Sequence, residues 1–89
     1  MIKFYYHPSP NPAKTSLTIS YALRGPATIS FEIYSELGNK VYRWNGAMES
    51  AGLYSRTLDL GSASLPAGNY IYRFEAGGDT QSGKLILER

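Results

Sequence analysis

The 89 residues, 43% of them hydrophobic, suffice for one domain over residues 1–89, one small enough for its net stability to be modest. The absence of cysteine excludes a disulfide framework, a thiolate metal site and a cysteine nucleophile. Nine Lys and Arg against seven Asp and Glu give a net charge of +2, and the basic residues lie singly, without the clustered stripe that nucleic-acid binding needs.

Period-two alternation broken by Gly, Pro and Asn runs through the whole chain and predicts strands. Ile2–Tyr6 reads as the first. His7-Pro8-Ser9-Pro10-Asn11-Pro12 follows as an extended connector that cannot enter a ladder, because its prolines lack donors. The second strand covers Thr15–Ala22, with Leu17, Ile19 and Tyr21 on one face. After Arg24-Gly25-Pro26, Thr28–Tyr34 shows the cleanest half-buried pattern, Ile29, Phe31 and Ile33 inward and Thr28, Ser30 and Glu32 outward. Leu37-Gly38-Asn39-Lys40 turns into a fourth strand over Val41–Trp44, and Asn45–Ala51 is expected to be a loop.

Leu53–Leu60 forms the fifth strand. A crossing segment leads from Gly61 through Leu65, an apolar plug, to Gly68. Asn69–Ala76 is the sixth, with Tyr70, Tyr72 and Phe74 on one face and Ile71, Arg73 and Glu75 on the other. Gly77-Gly78 is a hairpin tip, and Thr80–Glu88 is the last strand, with Leu85 and Leu87 inward. Seven short strands at this spacing predict an all-β, antiparallel, immunoglobulin-like sandwich of two sheets. Tyr70, two residues past Gly68, reads either as a tyrosine corner bonding back to the backbone or as an ordinary core aromatic.

Catalytic chemistry is sparse. His7 is the sole histidine, so neither a His-based metal site nor a histidine pair can form. The carboxylates Glu32, Glu36, Glu49, Asp59, Glu75, Asp79 and Glu88 are dispersed, which reads as surface charge; calcium at Asp59 or Asp79 is the weaker alternative. The expectation is a protein that is not an enzyme, with no cofactor and no metal. No apolar run approaches the roughly 18 residues of a membrane span, and Met1–Phe4 lacks the apolar core of a signal peptide. Tyr34, Tyr42, Trp44 and Tyr54 are read as cross-strand sheet stabilisers or as exposed aromatics able to stack on sugars or a protein, with Trp44 the one to test.

Several stretches carry a resemblance. Pro10-Asn11-Pro12-Ala13-Lys14 followed by Leu17-Thr18-Ile19-Ser20, then Ile33–Val41, then Leu58-Asp59-Leu60 with Leu65-Pro66-Ala67-Gly68-Asn69-Tyr70-Ile71-Tyr72-Arg73-Phe74, then Ser82–Leu87, resemble in order the motifs of type IX secretion C-terminal sorting domains of Bacteroidota. The immunoglobulin-like domain of flagellar hook-capping proteins is similar too. The chain departs from the sorting pattern in a longer Leu60–Leu65 stretch, in Arg56 where relatives carry an apolar residue, and in Gly83 where they carry a basic one. The resemblance implies a sorting signal that follows a larger exported protein. An outer-membrane translocon reads it, and sortase proteins usually cleave it as the parent is anchored to surface lipopolysaccharide. The implied location is the cell surface or the medium. The matching residues are Pro10, Asn11, Pro12, Gly38, Gly68, Tyr70 and Lys84, and the last strand with Lys84 is expected to be the recognition edge, since an outer strand offers unpaired N–H and C=O groups. The other reading is an accessory immunoglobulin-like module, structural or binding carbohydrate or protein.

Overall fold

The computed structural model describes residues 2–88. Seven strands follow in order: β1 (Ile2–Ser9), β2 (Ser16–Leu23), β3 (Ala27–Ser35), β4 (Lys40–Glu49), β5 (Gly52–Asp59), β6 (Gly68–Ala76) and β7 (Asp79–Leu87), with one 3₁₀ turn at Gly61–Ala63. They form two antiparallel sheets, β1-β2-β5 and β4-β3-β6-β7. No helix among the described residues is long and apolar enough to cross a membrane.

The alternating positions face as the pattern dictates. Leu17, Ile19 and Tyr21 of β2 meet Ile29, Phe31 and Ile33 of β3, Tyr72, Phe74 and Ala76 of β6, and Leu85 and Leu87 of β7 in one buried cluster. Aromatic contacts bridge the sheets: Tyr21 lies 4.8 Å and Tyr5 5.2 Å from the Phe74 ring, between centroids. Tyr5 and Tyr21 both have their phenol pKa pushed up, chiefly by burial.

Two segments differ from the expectation. β1 runs on through Pro8 to Ser9, which pairs with Thr18 after a register shift between Tyr6 and Ser9. This is possible because β1 is an outer strand, so proline there costs no inner-ladder bond. His7 therefore lies in a strand and not in a loop; its side chain falls outside the described residues. β4 likewise continues past Trp44 to Glu49, where a loop was expected. A bulge at Gly46-Ala47 of β4, opposite Ile29 of β3, re-registers the pairing, and Gly46 leaves space for the Trp44 ring: a Cβ there would lie 2.8 Å from the indole.

Candidate recognition surface

β7 is an edge strand of the larger sheet, and its backbone groups alternate in direction. Even-numbered residues turn theirs away from β6, as their partners show. The Asn11 amide donates to the Lys84 carbonyl and accepts from the Ile86 N–H, both at 3.0 Å. Ala13 donates to the Ile86 carbonyl at 2.8 Å and accepts from the Glu88 N–H at 2.7 Å, in a parallel bridge with Leu87. The Pro10–Ala13 connector thus straps the C-terminal half of the β7 edge. Residues 10–12 stay out of a backbone ladder, but between two prolines the Asn11 side chain does what a strand backbone would do. The outer edge of β7 that was expected to serve recognition is therefore covered over its C-terminal half.

The other matched residues gather at the same end. Gly38, at φ +91°, permits the β3–β4 turn, closed by Ser35 N–H to the Asn39 carbonyl at 2.8 Å. That turn holds Leu37 90% exposed. Gly68 opens β6 opposite Leu87, and the Tyr70 hydroxyl donates to the Pro66 carbonyl at 2.6 Å, which is the tyrosine corner. Pro10 and Pro12 flank Asn11 at the surface. Lys84 faces outward beside Ile71 and Ile86, about 40% exposed each, and with Glu36 and Asn69 they line a shallow groove of about 350 Å³. Among the described residues, no ion pair engages the Lys84 ammonium.

Trp44 stands apart, on β4 at the far edge of the same sheet. Its register partner Phe31 is fully buried, so the indole faces inward and is half-buried against the core. Tyr42 and Tyr54 pack against the core too, while Tyr34 lies on the outer face and donates to Glu32 at 2.6 Å. Apart from Tyr34, these aromatics pack against the core, in keeping with the sheet-stabilising reading. Asp59 and Asp79 accept N–H bonds from Gly61 and Ile2, both at 2.9 Å, and no cluster of metal-type ligands occurs among the described residues.

Charge is organised at two places. On the outer face, Glu32 receives Lys40 at 2.8 Å and Arg43 at 3.6 Å; the Lys40 bond, then Tyr34, hold its carboxyl below the usual range. Between the sheets, buried Glu49 accepts from the Tyr21 hydroxyl at 2.5 Å and pairs with Arg56, whose guanidinium lies 5.3 Å from the Tyr54 ring centroid. This cluster escaped sequence reasoning although a signal was present. Tyr54, Arg56 and Leu58 share one face of β5, so a charge at the middle position calls for a buried counter-charge. Gly83 is explained in the same way. It faces inward across from Tyr72, where a Cβ would lie 2.8 Å from the phenol oxygen and 2.9 Å from the ring, so the position has no room for a basic side chain.

The architecture and the Tyr70 corner define the class: an immunoglobulin-like β-sandwich whose terminal strand is bound by its own amino-terminal segment. The chain belongs to the secretion system C-terminal sorting domain family, whose model matches residues 9–88. The domain is the C-terminal sorting signal of type IX secretion substrates and marks proteins exported to the cell surface or secreted. No curated protein matches the chain.

Proposed function

We propose that an outer-membrane translocon of the type IX system reads this folded domain as the export tag of a parent protein lying upstream, that sortase proteins act on it, and that it performs no catalysis itself. The observation that supports this most is the convergence of matched residues at one end of the larger sheet. Asn11, Gly38, Gly68, Tyr70 and Lys84 come from four separate stretches of chain and meet where β7 ends. The prolines, glycines and Tyr70 build that end; Lys84 and the groove beside it are what it displays.

The test fuses residues 1–89 to the carboxyl end of a periplasmic reporter. Surface display in a type IX-competent cell, with periplasmic retention in a cell lacking the translocon, is the expected outcome. Equal distribution of the reporter with and without the domain would overturn the reading. Trp44, facing inward and half-buried, lends no support to sugar stacking as an alternative.

A further inference from the structure

The strap leaves part of the β7 edge uncovered. By the alternation that Asn11 and Ala13 reveal, Thr80 and Ser82 turn both backbone groups outward, and Lys84 turns out its N–H. No bond within the described residues reaches any of these groups. The stretch is straight, nine residues of β7 pairing with β6 with no register shift, and it contains no proline.

The remaining edges carry the devices that natural sheets use against strand addition. β1 has Pro8 and a register shift after Tyr6. β4 has a bulge and the charges Lys40 and Arg43. β5 has the inward-pointing Arg56. β7 has the strap, which stops at Lys84. Between Asp79 and Lys84, β7 thus leaves a short edge with no proline, bulge or charge, beside a strand-like segment already docked on the same edge.

We propose that Thr80–Lys84 accepts an extended segment of a protein of the export machinery by backbone pairing, and that this segment carries an acidic residue facing Lys84. This rests on the sorting reading. The docked strap shows that the β7 edge takes a strand-like neighbour, Ala13 pairing in parallel with Leu87. The acidic residue follows from the Lys84 ammonium, which forms no ion pair among the described residues and faces outward next to the exposed Ile71 and Ile86. Backbone pairing supplies affinity while the side chains flanking the edge supply selectivity.

The experiment compares Ser82→Pro with Ser82→Ala in the full chain fused to the reporter. Proline removes an N–H that the β6 ladder does not use and blocks the edge; alanine keeps the N–H. Melting of the purified variants establishes which are folded. A folded Ser82→Pro variant whose export falls about tenfold, the effect of one lost backbone bond, with Ser82→Ala like the parent, supports the proposal. Export of folded Ser82→Pro at the parent rate overturns it and leaves the sorting reading standing. Failure of the unmodified fusion to leave the periplasm overturns both. If Ser82→Pro does not fold, Thr80→Pro, whose N–H also faces outward, decides by the same two outcomes. Lys84→Glu tests the charge: reduced export supports an acidic partner, and unchanged export removes it.

Discussion

Asn11 holds the strap with its side chain alone, so its replacement isolates that contact. Asn11→Ala removes two hydrogen bonds to β7, each 3.0 Å and each at the surface. At the modest net worth of such bonds the loss is about 1–2 kcal/mol. In a domain of this size that lowers Tm by roughly 5–15 °C. Asn11→Asp discriminates further. It keeps the acceptor for Ile86 N–H but sets a carboxylate oxygen against the Lys84 carbonyl, so the folded state disfavours the ionised form and raises the Asp pKa above its unfolded value of about 4. A raised folded pKa means that stability is present below the unfolded pKa and is lost as pH rises through the folded one. Asn11→Asp is therefore weaker than Asn11→Ala near neutrality and recovers near pH 3.5, where the protonated carboxyl donates to Lys84 as the amide did. Lys84→Ala in the same background removes any attraction from the ammonium. Urea unfolding followed by the fluorescence of Trp44, the single tryptophan, reads the effect at both pH values. An Asn11→Asp protein with the same pH dependence as the parent, or an Asn11→Ala protein of unchanged stability, would refute the account of the strap.

Three further outcomes follow from the interior and the outer face. Arg56→Leu alone leaves the buried Glu49 carboxylate without its cation and costs about 2–4 kcal/mol, while Arg56→Leu with Glu49→Gln regains most of it; a denaturation double-mutant cycle measures the coupling. Gly83→Ala presses a Cβ into the Tyr72 ring and destabilises by about 1–3 kcal/mol, read as a lower Tm. Glu32 has a depressed folded pKa, so its contribution is present above its unfolded pKa and fades as pH falls through the folded one; Glu32→Gln loses up to about 1 kcal/mol at neutrality and less in acid, by urea titration at the two pH values.

The strands and their inward faces were legible because they depend on a local period that burial then enforces. Ile29-Phe31-Ile33 and Tyr70-Tyr72-Phe74 leave no second way to hide three large apolar side chains. What escaped depends on contacts remote in sequence. Asn11 and Ile86 are 75 residues apart, and nothing near Asn11 announces that its amide substitutes for a strand. Trp44 reads from sequence either as a sheet stabiliser or as an exposed aromatic, and Asn45-Gly46-Ala47 reads as loop, yet the glycine there makes room for an indole turned inward. Arg56 broke the apolar pattern of β5 for a partner 7 residues back, on a different sheet.

The position of β7 also decides how a sorting signal of this kind is to be tested. Removing residues 84–89 would abolish export on either of two grounds, and the fold makes one of them trivial. Leu85 and Leu87 are 0% and 4% exposed and sit opposite Tyr70 and Gly68. Deleting two such leucines costs about 2–5 kcal/mol each, against a total stability of about 5–15 kcal/mol for a domain, before the strap bonds are counted. The truncated protein is expected to be largely unfolded by circular dichroism, so its retention would say nothing about what the translocon touches. Only changes at outward positions, Ser82, Lys84 and Ile86, leave the core leucines in place and separate a signal that is read from a domain that merely has to fold. If the truncated domain instead melts cooperatively near the parent temperature, the burial argument fails and the last strand becomes a removable tag.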